Sequence, residues 1–218
     1  MTRSAARPKD LGCIVLAAGG SRRFGTPKQL ARYRGRPLLA CAVEAARGAL
    51  PRAPLIVVLG ADVLRLRLML RRTQCGARIA TNPHWKQGMA TSLQAGIAAI
   101  PSSARAALVL LADQPRVDAA ALRRLVSAWR RRPAVPAAAR YNGDSGVPAI
   151  LPRRLLRASR ALRGDAGARA LLRSERVTLV DVPEAALDVD TPSDLLALRA
   201  GSRGAAATVA AAAVAPLA

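Results

Sequence analysis

The chain has 218 residues, of which 51% are hydrophobic and 2% aromatic, and its formal charge is +22. That length suits one large domain with a sizeable core, while three widely spaced cysteines without a CxxC pair argue against a disulfide framework or a thiolate zinc site. So few aromatic rings argue against a stacking platform for single-stranded nucleic acid. The positive charge, nearly all of it arginine, recurs from Arg3 to Arg203 instead of collecting in a tail, which favours an enzyme of anionic substrates over a nucleic-acid binder.

Arg3, Arg7 and Lys9 ahead of LGCIVLAAGG imitate the start of a signal peptide. Asp10 interrupts that boundary and the apolar run leads straight into a glycine–arginine loop, so residues 11–17 are expected to form the first buried strand. A helix is expected over 37–49, a strand over 54–60, a helix over 61–72, a short strand over 76–82 and a helix over 89–100. Residues 105–113 form the clearest buried strand, followed by a helix over 119–132 with a basic outer face. Continuous apolar strands between amphipathic helices predict a doubly wound α/β fold, a mostly parallel sheet with helices on both faces.

After residue 133 the pattern loosens. PAVPAAARYNGDSGVPAILP holds two strand-like pieces around an Asn-Gly pair, which predicts a hairpin. RRLLRASRALRG and AGARALLRS are expected to be helical, residues 176–182 a strand, and residues 191–200 a last helix capped by Thr191 with Pro192 at its first position. No stretch reaches the ~20 apolar residues of a membrane span. The expectation is one domain over 1–200, an Ala-rich low-complexity tail over 201–218 and a cytoplasmic protein without membrane contact.

Ligands of such folds sit beyond the carboxyl ends of the strands, and four features fall there. In LAAGGSRRFGTPKQL (16–30) a glycine-rich turn lets the backbone approach phosphate oxygens, with Arg23 and Lys28 adding charge. The spacing is neither that of a Walker loop nor GxGxxG. LADQP puts Asp113 at the end of the most buried strand, where a carboxylate can hold Mg²⁺ over a triphosphate or simply cap a helix. In LDVDTPSDLL, Asp188 and Asp190 lie two apart in an extended segment, so their side chains are expected on one face; one could be a second metal ligand, or Asp190 could favour the helix start. In NPHWKQGMATSLQAG, Gly88 and Ser92 straddle a helix start where a phosphate or ribose fits. The lone histidine, His84, follows a proline in a loop and is read as a loop residue.

LAAGGSRRFGTPKQL, NPHWKQGMATSL, LADQP, GVPAIL, GDAGARALL and DVDTPSDL occur in this order, and together they resemble the MobA-like nucleotidyltransferases, molybdenum cofactor cytidylyltransferases above all, over about residues 14–198. The resemblance implies a Rossmann-like nucleotidyltransferase fold. It implies that Leu16, Ala17, Ala18, Gly19 and Gly20 line the nucleotide with backbone groups, and that Arg23 and Lys28 bind the triphosphate. Gly88 and Ser92 match a second nucleotide-facing loop, Asp113 matches the Mg²⁺ ligand, and Asp190 and Asp188 match the second acidic motif. Arg22 is read as a replaceable neighbour of Arg23.

The implied reaction transfers CMP from CTP to the terminal phosphate of a molybdopterin-type cofactor with release of pyrophosphate, Mg²⁺ assisting. A molybdoenzyme or its chaperone is the implied partner. Another phosphorylated acceptor stays open because Gly146-Val147-Pro148 stands where that branch carries Gly-His-Pro, and guanylyl transfer stays open because base choice depends on loop geometry and backbone contacts. A non-catalytic cofactor-binding accessory protein is the alternative of a different class.

Overall fold

Strand β1 (Leu11–Ala17) is buried along its whole length. Its odd residues Leu11, Cys13, Val15 and Ala17 face one apolar cluster, and Ile14 and Leu16 face another. The same alternation runs through β4 (Leu55–Leu59) and β6 (Ala106–Leu111). Strands apolar on both faces can be satisfied only between two layers, and each fully buried Leu, Val or Ile contributes about 1.5–3 kcal/mol.

The computed structural model describes residues 10–200; the Ala-rich segment 201–218 expected to be a low-complexity tail lies outside them. Its main sheet has seven strands in the order β5-β4-β1-β6-β8-β7-β9, with β5 Arg78–Thr81, β7 Ala137–Tyr141, β8 Asp144–Pro152 and β9 Thr178–Asp181. β8 pairs antiparallel with both β6 and β7, and the other pairings are parallel. One layer is built from α1 (Leu38–Ala49), α2 (Val63–Thr73) and α4 (Ala119–Arg131). The other is built from α3 (Met89–Ala99), α5 (Arg153–Ala158) and α6 (Ala168–Leu172). This is the expected mostly parallel, doubly wound Rossmann-like sheet with helices on both faces.

The hairpin forms as expected: Asn142 and Gly143 take φ of 49° and 77° between β7 and β8, the left-handed pair that a tight hairpin needs. Helix α2 starts two residues later than the pattern suggests, because Asp62 sits in the left-handed region at φ 52°. RRLLRASRALRG yields only α5 and a 3₁₀ turn over Ser159–Ala161, with Leu162 extended and Gly164 at φ 57°. A two-stranded ribbon, β2 (Arg32–Tyr33) and β3 (Arg36–Pro37), is too short to leave a periodic signal. Tyr33 of the ribbon packs with Leu38, Val189, Leu195 and Leu198 in a small third core that docks the helix of residues 192–200.

Candidate active site

The parallel register sets Ala17 beside Leu59 and Leu16 beside Leu111, so the chain leaves the sheet at one edge after β1, β4 and β6. Ala112 donates its N–H to Leu16 O at 3.1 Å and Ala61 donates to Ala18 O at 3.1 Å, which holds the three exits together. Between them opens a cleft of about 420 Å³, within the size range of small-molecule sites.

The glycine-rich loop is shaped by a residue the sequence reading passed over. Gln29 is 3% exposed. Its amide donates to Gly19 O at 2.8 Å and Ala17 O at 3.2 Å, and its oxygen accepts from the Ser21 hydroxyl at 3.2 Å. Ser21, in the left-handed region, accepts in turn from the Lys28 N–H at 3.1 Å. A buried amide is tolerated only with such partners, so Gln29 and Ser21 fix both the loop and the start of the turn that carries Lys28.

The Lys28 ammonium reaches Asp113 Oδ2 at 2.7 Å and Asp190 Oδ1 at 2.8 Å. Burial alone pulls the lysine pKa down, but the two carboxylates outweigh it together and hold Lys28 above its ordinary value. Asp190 is held below the usual carboxylate range by its bond from Lys28, against burial, with Arg23 adding a second bond at 2.8 Å. The acidic segment is fastened beside Asp113 by the Val189 N–H, which donates to Asp113 O at 2.9 Å. Thr191 and Asp194 close a reciprocal cap: the Asp194 carboxylate accepts from the N–H groups of Asp190 and Thr191, and the Thr191 hydroxyl accepts from the Asp194 N–H. The expected Thr191 cap is therefore in place.

Asp188 differs from its expectation. Residues 187–190 form no regular strand, so period-two alternation is not enforced, and Asp188 lines a separate depression with Arg116 and Asp194 while Asp190 lines the cleft. Desolvation first, then the charge of Asp113, pushes the Asp188 carboxyl up, with Gln114 pulling it the other way. Among the described residues no group of three or more His, Cys, Asp or Glu side chains could hold a metal, so the expected trio of Asp113, Asp188 and Asp190 does not converge. Two carboxylates do. Asp113 Oδ1 is buried without a hydrogen-bond partner in the protein, and Asp190 faces it across Lys28. One or two hard oxygen donors, with water and substrate phosphates completing the shell, are what Mg²⁺ takes. Asp113 and Asp190 fit that ion.

The opposite wall comes from the segment after β5. Asn82 donates to Thr91 Oγ1 at 2.9 Å and to Ser92 Oγ at 3.0 Å, and its own oxygen accepts from the His84 N–H at 2.9 Å. Gly88 sits at φ 106°, and the backbone of Gly164 lies where its side chain would be. The Ala90 N–H donates to Gly164 O at 3.0 Å, so the GDAG loop is brought to the cleft and Asp165 lines it. Leu16 to Gly20, Lys28, Gly88, Ser92, Asp113 and Asp190 all line the same cleft, together with Arg22, Gln29, Trp85, Lys86 and Met89, which sequence reasoning did not assign. Arg22, expected to be replaceable, is the arginine on the wall; Arg23 reaches out to Asp190 with a side chain 71% exposed.

A family model described as the MobA-like NTP transferase domain matches residues 13–182. The chain belongs to this family. It is 34% identical over 207 residues to nicotine blue oxidoreductase of Paenarthrobacter nicotinovorans, covering 87% of this chain and 98% of that protein. Among solved structures it resembles Rv0371c from Mycobacterium tuberculosis, with 31% identity, a TM-score of 0.72 and coverage of 88% of this chain and 98% of that one. A manganese complex of Rv0371c matches at 27% identity with a TM-score of 0.70, over 87% and 97% of the two chains. The match thus runs from within β1 to just past β9 and takes in every residue lining the cleft except Asp190. No described helix is long and apolar enough to cross a membrane.

Proposed function

We propose that this nucleotidyltransferase moves CMP from CTP to the terminal phosphate of a molybdopterin-type pterin cofactor and releases pyrophosphate. The observation that carries the nucleotidyl-transfer reading is Lys28, held between Asp113 and Asp190 on the floor of a glycine-walled cleft. CTP and the pterin acceptor rest on the resemblance of the six ordered motifs.

In the reaction, a phosphate oxygen of the acceptor forms a bond to the α-phosphorus. The bond from that phosphorus to the oxygen bridging to the β-phosphate breaks, and pyrophosphate leaves with its electron pair. A phosphate nucleophile needs no protein base. Catalysis is then positioning and charge stabilisation. Lys28, held protonated by its two carboxylates, acts as a fixed positive charge and not as a base. Arg22 on the wall and Arg23 above Asp190 add to the positive field. Asp113 and Asp190 would hold Mg²⁺, which when bound neutralises charge on the triphosphate.

The test is pyrophosphate release by purified protein with Mg²⁺, molybdopterin cofactor and each nucleoside triphosphate in turn. CTP alone should support release. Release with GTP only moves the chain to guanylyl transfer, and release with another phosphorylated acceptor replaces the pterin. Binding without release under any pairing supports a cofactor-binding accessory protein handing its cargo to a molybdoenzyme.

A second reading comes from the name of the 34% identical relative, an oxidoreductase. The same cleft would then seat a dinucleotide by its pyrophosphate. Oxidation of a reduced nicotinamide cofactor, followed by absorbance, distinguishes it from transfer.

A further inference from the structure

Gly19 and Gly20 are adjacent in sequence, and neither takes a positive φ. Their surroundings differ. A Cβ on Gly19 would meet no protein atom within 4 Å. A Cβ on Gly20 would stand 2.7 Å from Cζ3 and 2.8 Å from Cη2 of Trp85. The other end of the same side chain crowds Gly60, where a Cβ would lie 2.5 Å from Trp85 Cβ, 2.7 Å from its Cγ and 2.6 Å from Ala18 O. Real Cβ atoms do not approach carbon so closely, and aromatic carbon is not compressible on that scale.

Trp85 therefore lies wedged across two strand exits, the loop after β1 and the turn after β4. It is half-buried, lines the cleft, packs on the core of the α3 layer and carries the Lys86 ammonium 5.7 Å from its ring centre. The second tryptophan, Trp129, is 1% exposed in the core of the opposite layer.

We propose that Trp85 is a positioning residue for the nucleotide: its ring sets the distance of the phosphate loop from the end of β4, and Gly20 is glycine to admit that ring. Gly19, with nothing of the protein against it, is the glycine left open for the ligand. This rests on the nucleotide reading of the cleft.

The test is a substitution cycle read by calorimetric titration of CTP with Mg²⁺, with thermal melting alongside. Gly20→Ala should weaken binding about tenfold, equivalent to ~1.4 kcal/mol. In a Trp85→Leu background, where the outer ring carbons are gone, the same substitution should cost less than about threefold. Gly19→Ala should cost the same factor in both backgrounds. Equal cost of Gly20→Ala in both backgrounds, or no cost in either, overturns the proposal. A wild-type protein that binds no nucleotide overturns the transferase reading and the positioning role with it. The two failures are told apart because melting still reports whether Gly20 and Trp85 are coupled.

Discussion

The ammonium of Lys28 stands 2.8 Å from the carboxylate of Asp190, which lies 162 residues further along the chain. The same nitrogen bonds Asp113 at 2.7 Å. Removing it leaves two facing carboxylates, 20% and 35% exposed, without their shared cation. Lys28→Met should lower turnover by at least about 10²-fold and cost about 1–2 kcal/mol of stability. Steady-state pyrophosphate release and thermal melting check both.

Asp113 and Asp188 separate by location. Asp113 holds a buried oxygen without a partner on the cleft floor, and Asp188 lines a different depression. Asp113→Asn should abolish turnover and the binding of Mn²⁺ together with nucleotide, read by electron paramagnetic resonance, while the protein stays folded. Asp188→Asn should keep turnover within about threefold. Equal loss in both would return Asp188 to the metal site.

Arg22 and Arg23 are neighbours with different duties. Arg22→Ala removes a charge from the cleft wall and should raise the KM for nucleotide with little change in kcat. Arg23→Ala frees Asp190, which keeps its bond from Lys28. That exposed pair should cost less than about 1 kcal/mol of stability. Steady-state kinetics and melting of the two variants separate the roles.

The Lys28–Asp190 contact also sets a pH dependence. Asp190 titrates below the ordinary carboxylate value in the fold, chiefly through its bond from Lys28, so its stabilising contribution is complete above that ordinary value and is lost as pH falls through the lowered one. Lys28 titrates above the ordinary lysine value, so its contribution is complete below that value and is lost as pH rises through the raised one. The difference in melting temperature between wild type and Asp190→Asn should be constant from roughly pH 5 to 9 and shrink on the acid side.

Cys13 lies within β1, and burial pushes its thiol up to about 12, with Arg47 pulling weakly the other way. A thiol reagent at about pH 8 should leave Cys13 unmodified in the folded protein and label it only after unfolding. Mass spectrometry of the labelled peptides reads the result.

The fold was legible where the sequence has no alternative. LGCIVLA, PLIVVLG and RAALVLLAD are apolar on both faces, and only a covered parallel sheet buries both. The glycine-rich loop and Asp113 were legible because strand ends in such a sheet converge on one edge, and β1 and β6 bring them there; Asp190 arrives from the segment after β9, which the Val189 N–H fastens to Asp113 O. The short ribbon of β2 and β3 left no periodic trace, and RRLLRASRALRG broke early because the segment at Gly164 turns to meet Gly88.

The sequence by itself determined the two helical layers, the mostly parallel sheet between them and the positions where charge and glycine had to gather. Only the tertiary structure decided between neighbours: Arg22 and Asp190 line the cleft where Arg23 and Asp188 do not, and Gly19 has no protein atom against it where Gly20 meets Trp85. Arg22 against Arg23, Asp190 against Asp188, and Gly19 against Gly20 all lie in irregular segments. There no hydrogen-bond ladder dictates side-chain direction, and the choice is made by partners outside the segment itself: Gln29 for the loop carbonyls, Lys28 for the carboxylates and Trp85 for Gly20.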